Sequence, residues 1–280
     1  VDYHVHPNYS IDAQQHSIDM FCNRAVELNL AEICFTPHFE CDPVRRQKDW
    51  FVRLNGVIHP MECWQWIDCY FEEIERARVK YTPLGLKVKA GVEIGYDLGL
   101  ESTIERLVNS YPFDYILGSV HCLNHCAISN RVESGSYFAG KTVEQVIQDY
   151  YYLIEQMVKT KLFDCVGHID LYRRYGLQYL GPEIELVRRD VVEPILKKIS
   201  QFNMGLEINT SSRRRGHREF HPGSQLLNLA IKCGVKIFTL GSDAHGLSQL
   251  GEGISEAWSM LKGLGQDITV YSGRKPRAVS

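Results

Sequence analysis

Short runs of β-branched and other apolar residues alternate along the chain with longer stretches of helical period. The runs cover residues 2–6, 32–36, 87–94, 113–120, 163–168, 205–209 and 236–240. Helices are predicted over 16–28 and 62–80, where Ile67, Tyr70, Phe71, Ile74 and Ala77 fall at helical spacing. A third is predicted over 142–159. There Thr142 and Gln145 have the spacing of a capping box, and Val143, Val146, Ile147, Tyr150, Ile154 and Met157 form one apolar stripe. Pro182 suits the first turn of a helix running to about residue 202. Two more are predicted over 222–232 and 247–262, and residues 272–280, with Arg274, Lys275 and Arg277, read as a loose tail.

Seven strands alternating with helices predict parallel βα units, either an open doubly wound sheet or a closed barrel of the TIM type. No Gly-x-Gly-x-x-Gly follows the first run, so nothing supports a dinucleotide site. No linker rich in Pro, Gly or Ser and no low-complexity segment divides the chain, which predicts a single domain over 1–280. No stretch reaches the roughly 20 apolar residues of a membrane span. Charge and His interrupt the first residues, which do not read as a signal peptide.

Composition narrows the partners. The 280 residues are 44% hydrophobic and 23% charged, the balance of a folded soluble protein. A formal net charge of −3 is not the basic footprint of a general nucleic-acid binder. There are 11 His and 9 Cys. The cysteines are odd in number, scattered from Cys22 to Cys233 and never spaced Cys-x-x-Cys, which argues against a disulfide framework or a zinc ribbon. The expectation is a cytoplasmic protein with mostly buried thiols.

The histidines decide between the two architectures. In a βα barrel the reactive groups gather at the carboxyl ends of many strands, and here six of the seven runs end in a metal-ligand type of residue. The first ends His4-Val5-His6, with both imidazoles on one face. The others end at His38, Glu93, His121, His168, and Asp243-Ala244-His245. Alone, each is more often a hydrogen-bonded core residue. Together and uncompensated, such groups would cost several kcal/mol each, a cost that metal ions remove. Imidazole with carboxylate and no Cys suits Zn, Mn or Fe. Glu93 is the natural bridge, because a carboxylate can give one oxygen to each of two ions about 3.5–4 Å apart.

The order His4-x-His6, His38, Glu93, His121, His168, Asp243-x-His245 resembles the PHP (polymerase and histidinol phosphatase) superfamily over the whole chain. The blocks Gly118-Ser119-Val120-His121, Val166-Gly167-His168-Ile169-Asp170-Leu171, Leu206-Glu207-Ile208-Asn209-Thr210 and Gly241-Ser242-Asp243-Ala244-His245 look like its histidinol-phosphatase branch. The resemblance implies an α/β fold, a distorted seven-stranded (βα) barrel, with two or three divalent ions. His4, His6, Glu93 and Asp243 would hold the first, Glu93, His121 and His168 the second, and His38 and His245 the third. Asp12 is the favoured last ligand of the third, and His16 competes with it. The amidohydrolases share a barrel and a His-x-His, but they usually bridge their metals through a modified Lys at the end of strand four, where this chain has His121.

The implied activity is metal-dependent phosphomonoester hydrolysis, with Glu93, Asp243 and Arg173 as the catalytic set. The leading substrate is L-histidinol phosphate, an intermediate of histidine synthesis. A phosphatase, phosphodiesterase or exonuclease acting on another small phosphoester, a sugar phosphate or a nucleotide is the alternative. The family motif has a basic residue near Arg173, which is therefore expected on the phosphate. Arg213, Asn209 and His217 follow strand six and are the other candidates for substrate contact, with His221 close by. The expected partner is a small phosphorylated molecule, with no membrane and no nucleic-acid track. The Cys122-Leu123-Asn124-His125-Cys126 segment fits no standard zinc module.

Overall fold

The computed structural model describes residues 1–279; Ser280, the last residue of the expected domain and tail, lies outside them. Seven parallel strands, β1 (Asp2–Val5), β2 (Glu32–Phe35), β3 (Lys87–Gly95), β4 (Tyr115–Ser119), β5 (Cys165–Val166), β6 (Gly205–Asn209) and β7 (Phe238–Gly241), pair in chain order. A parallel bridge between Val5 and Ala244 nearly closes the ring, with the His6 N–H on the Ala244 carbonyl at 2.8 Å. The architecture is the distorted seven-stranded (βα) barrel expected.

The helices on the outside are α1 (Ile18–Glu27), α2 (Gln65–Tyr81), α3 (Glu101–Ser110), α4 (Val143–Thr160), α5 (Arg189–Gln201), α6 (Ser224–Lys232) and α7 (Ile254–Gly263). Each buries an apolar stripe. In α4 the capping box forms as read: Thr142 Oγ accepts from the Gln145 N–H, and the Gln145 side chain returns to the Thr142 N–H. Burying a large apolar side chain such as Ile154 or Met157 contributes roughly 1.5–3 kcal/mol.

The structure departs from the sequence reading at several places. The helix predicted from Pro182 is broken into a short turn, Pro182–Glu185, and α5, because Leu186 is extended. α3 and the short helix Arg173–Leu180 were not predicted. Residues 268–279 form an antiparallel hairpin, Ile268–Ser272 with Lys275–Val279, in place of a loose tail. Two further hairpins, Phe51–Leu54 with Val57–Pro60 and Cys122–Leu123 with Cys126–Ala127, stand among the loops after β2 and β4.

The first strand of the terminal hairpin reaches into the barrel interior. Tyr271 packs with Tyr3, Cys34, Tyr115 and Cys165. The Tyr271 N–H donates to the Tyr3 hydroxyl at 2.7 Å, and Arg274 binds Asp164. Tyr3 reaches this cluster through a bulge in β1. Asp2 pairs with Ile33 and Val5 with Phe35, so β1 holds one extra residue. Tyr3 and His4 can then both point inward while Val5 joins the core under the helices. Among the described residues no helix is long and apolar enough to cross a membrane.

Candidate metal centre

Glu93 sits at the middle of the carboxyl end of the barrel, 1% exposed. Its two oxygens face different partners. Oε1 lies 3.0 Å from His168 Nε2 and 3.1 Å from His121 Nε2, and accepts from Ser119 Oγ at 2.7 Å. Oε2 lies 3.3 Å from His4 Nε2, 3.5 Å from His6 Nε2 and 2.9 Å from His38 Nδ1. Each placement has a local cause. Pro37 ends β2, but the chain resumes pairing at His38–Phe39, which sets His38 beside Glu93 in register on β3. His121 and His168 follow β4 and β5, the strands next to β3 on its other side.

Asp243 closes the first group. Its Oδ1 is 3.4 Å from His6 Nε2 and 3.7 Å from His4 Nε2, and it sits at φ 55°, a left-handed conformation that an Asp tolerates better than most residues. A third group lies at the rim. Asp12 Oδ2 is 3.2 Å from His245 Nε2 and 3.5 Å from His38 Nε2. Of the two competitors for this place, Asp12 faces the histidines. His16 precedes the Ser17 cap of α1 and its ring packs on Phe21.

A second layer of side chains aims the imidazoles. His4 Nδ1 is 2.5 Å from Glu207 Oε1, and Glu207 Oε2 accepts from the His168 N–H at 2.9 Å. A carboxylate that only accepts leaves the proton on His4 Nδ1 and the Nε2 lone pair toward the centre. Glu40 does the same for His121, with its Oε1 2.6 Å from Nδ1. The backbone makes room for both carboxylates with glycine: a Cβ on Gly241 would overlap Glu207, and one on Gly95 would overlap Glu40. The sequence reading did not single out Glu207 or Glu40. Glu207, a charge inside the apolar run of β6, was the available signal; Glu40 shares the face of His38 two residues on.

The donor set fits divalent ions. His4 Nε2, His6 Nε2, His38 Nδ1 and Glu93 Oε2 are all buried without a well-aligned hydrogen bond. Such groups are normally satisfied in folded proteins, and here they converge on common points: His4, His6 and Glu93 form one group of close ligand atoms, His38, Glu93 and His121 another, and His6, His38 and His245 a third. Burial and the neighbouring His245 and His38 hold His6 well below the ordinary imidazole range, so its lone pair is available. Burial would push the Glu93 carboxyl up, but His4, His121 and His38 outweigh it and hold it well below the usual range.

A cavity of about 680 Å³ opens beside these groups. Arg174, Arg214 and Arg215 line it. Arg173 and Arg213, the expected phosphate contacts, are not among its lining residues. Arg173 is turned into a buried network, with Nη1 on Asp170 Oδ2 at 2.8 Å and Nη2 on Glu185 Oε1 at 3.0 Å. Arg213 pairs with Glu256 at 2.9 Å and lies over the Phe220 ring. Asn209 also stays off the cavity: its Oδ1 accepts from Ser211 and its Nδ2 donates to Glu207 Oε2 at 3.2 Å. His217 is half-buried behind the loop, its N–H on the Ser212 carbonyl. His221 is buried, with Nδ1 2.6 Å from Asp170 Oδ1.

Comparison with known proteins places this geometry. Residues 2–211 match the PHP domain family. The chain is 27% identical to a histidinol-phosphatase of Lactococcus lactis over 278 residues, 98% of this chain and 95% of that one. It is similar to a crystal structure of histidinol phosphate phosphatase from Lactococcus lactis complexed with zinc, L-histidinol and phosphate, with a TM-score of 0.76 at 25% identity over 99% of this chain and 98% of that one. A Listeria monocytogenes structure, 20% identical, has the same fold at a TM-score of 0.76 over 91% of this chain and 98% of that one.

Proposed function

The chain belongs to the PHP domain family, and we propose that it is a metal-dependent phosphomonoester hydrolase that converts L-histidinol phosphate and water to L-histidinol and phosphate. The observation that carries the reading is the division of Glu93, with Oε1 toward His121 and His168 and Oε2 toward His4 and His6. In this reading His4, His6, Glu93 and Asp243 hold one ion, Glu93, His121 and His168 a second, and Asp12, His38 and His245 a third, with the whole chain as one domain. Bound Zn, Mn or Fe supplies a Lewis acid that acidifies water and neutralises phosphate oxygens.

The chain's own residues do the rest. Arg174, Arg214 and Arg215 present guanidinium groups to a phosphate, where planar N–H forks match phosphate oxygens. Arg214 is held in place by the Ser242 and Asp243 carbonyls at 2.8 and 2.9 Å. Asp243 Oδ2 accepts from Ser211 Oγ at 3.0 Å, which leaves Oδ1 toward His4 and His6. The net reaction breaks the ester P–O bond, adds the hydroxyl of water to phosphorus and returns a proton to the leaving alcohol. The Lactococcus lactis histidinol phosphate phosphatase is complexed with zinc, L-histidinol and phosphate, which supports the substrate assignment.

Metal content of the purified protein and a phosphate-release panel test the reading. The panel contains L-histidinol phosphate, sugar phosphates, nucleotides and a short oligonucleotide. L-Histidinol phosphate is expected to lead, and Glu93→Gln to lose both metal and turnover. A folded Glu93→Gln protein that keeps both would remove the bridging role, and a leading sugar phosphate or nucleotide would replace the substrate.

A further inference from the structure

Asp12 is the most exposed ligand candidate at the rim. Its side chain is 54% exposed, and among the described residues its carboxylate meets only His38 and His245. No side chain behind it fixes its direction, as Glu207 does for His4 and Glu40 for His121. Its place therefore depends on the backbone that carries it.

That backbone is anchored on either side of Asp12. Tyr9 packs on Trp66 and Tyr70, and the Gln14 N–H donates to the His245 carbonyl at 2.8 Å. Between these anchors the Ala13 N–H returns to the Ser10 carbonyl at 3.2 Å. The rest is gathered by one side chain from a distant hairpin. Arg53 Nη1 donates to the carbonyls of Asn8, Ser10 and Ala13 at 3.2, 3.1 and 3.2 Å, and Nη2 to that of Ile11 at 2.8 Å. The Arg53 backbone N–H adds the Tyr9 carbonyl at 2.9 Å. Among the described residues the carbonyls of Asn8, Ile11 and Ala13 have no other partner.

Strand alternation aims Arg53 at this segment. Val52 and Leu54 enter the core, so Phe51 and Arg53 share the opposite face, and Phe51 lines the cavity beside Ile11 and Asp12. With its carbonyls turned to the guanidinium, the segment turns polar side chains to the histidines. Ser10 Oγ accepts from the His38 N–H at 3.0 Å and lies 3.2 Å from His6 Nδ1, and Asp12 faces His38 and His245. A planar fork of N–H groups can serve several carbonyls at once, and a charged donor binds each more strongly than a neutral one.

We propose that Arg53 is a positioning residue for the third cation: residues 8–13 fold around its guanidinium, and that fold sets Asp12 against His38 and His245. The inference rests on the three-ion reading above and deepens it. Without the fork, the carbonyls of Asn8, Ile11 and Ala13 turn to water and the span between Tyr9 and Gln14 gains conformers that carry Asp12 away from the histidines.

The test uses the full-length protein, stripped of metal and titrated with zinc against a chromophoric chelator. Asp12→Asn identifies the binding step that belongs to the third site. Arg53→Met keeps the apolar stem without the donors and is expected to weaken that step by about tenfold or more, the effect of losing a partner behind a ligand, while the other two steps hold. Arg53→Lys keeps the charge and three donors and is expected to fall between Arg53→Met and wild type. Hydrogen exchange of the zinc-loaded proteins gives the second readout. Amides of residues 8–14 should exchange about tenfold faster or more in Arg53→Met and stay slow in Asp12→Asn, which keeps the guanidinium. A third step within about twofold of wild type in Arg53→Met, or slow exchange preserved there, overturns the proposal. Equal weakening of all three steps, or faster exchange throughout the chain, also overturns it, because Arg53 would then act on the fold as a whole. A wild-type protein that takes up only two zinc ions removes the three-ion reading, and the proposal falls with it.

Discussion

Replacing Glu207 by Gln keeps the outline of the side chain and removes one of its two acceptors. Glu207 is 1% exposed, so water cannot fill the gap. In the native protein Oε1 takes the His4 Nδ1 proton at 2.5 Å, and Oε2 takes the His168 N–H at 2.9 Å and Asn209 Nδ2 at 3.2 Å. A glutamine amide cannot accept on both sides. With its NH2 toward His168, a buried backbone donor loses its partner, at about 1–3 kcal/mol. With its NH2 toward His4, the imidazole must move its proton to Nε2, which then points an N–H at Glu93 Oε2, 3.3 Å away, where a lone pair is needed. Loss of such a partner behind a ligand weakens metal binding by about 10–100-fold, or roughly 1.4–2.8 kcal/mol. Competition for zinc against a chromophoric chelator measures it, with circular dichroism as the check on folding. A folded Glu207→Gln protein that binds zinc within about twofold of wild type would refute the tautomer argument.

Three further outcomes follow from charges in and behind the cavity wall. Arg174→Ala is expected to raise KM for a phosphoester about tenfold or more with metal content intact, whereas Arg173→Ala should act on stability, by about 3 kcal/mol in urea unfolding, because it strips a buried partner from Asp170; the reverse pattern would return Arg173 to the phosphate. Hydrogen bonds from Arg45, opposed by partial burial and helped by Lys48, pull the Glu133 carboxyl down to about 2 from its ordinary 4.5. A folded-state value below the unfolded one stabilises the protein above the unfolded value and loses that stabilisation as pH falls toward the folded one. The melting temperature of metal-free protein should therefore drop between about pH 5 and 2, and less steeply in Glu133→Gln; parallel curves would remove Arg45–Glu133 as the cause.

Much of the site was legible before the fold. The ends of β1 to β5 and β7 were marked by polar residues at the close of apolar runs, and a parallel barrel brings all such ends to one rim. His4, His6 and Glu93 meet there, joined by His121 and His168. The arginines were not legible. Arg173 and Arg174 begin the helix Arg173–Leu180, where successive side chains turn by about 100°. Adjacent residues of the same type therefore point to different places, and the choice is made by Asp170 and Glu185, which capture Arg173 and leave Arg174 to the cavity. The same holds for Arg213, which Glu256 on α7 draws away. The terminal hairpin was hidden for a related reason. Lys275–Val279 has no apolar alternation of its own; its strand partner is anchored by Tyr3 and the turn between them by Asp164, both distant in the chain.

By itself the sequence determined the order of the seven strands and the rim on which the polar strand ends gather. These depend on periodicity and on residue type at strand ends, which are local properties of the chain. Only the tertiary structure decided which oxygen of Glu93 faces which imidazoles, that Glu207 and Glu40 hold His4 and His121 from behind, and which arginines face the cavity. Those choices depend on side-chain direction, and direction is settled by partners that the barrel brings together from separate strands.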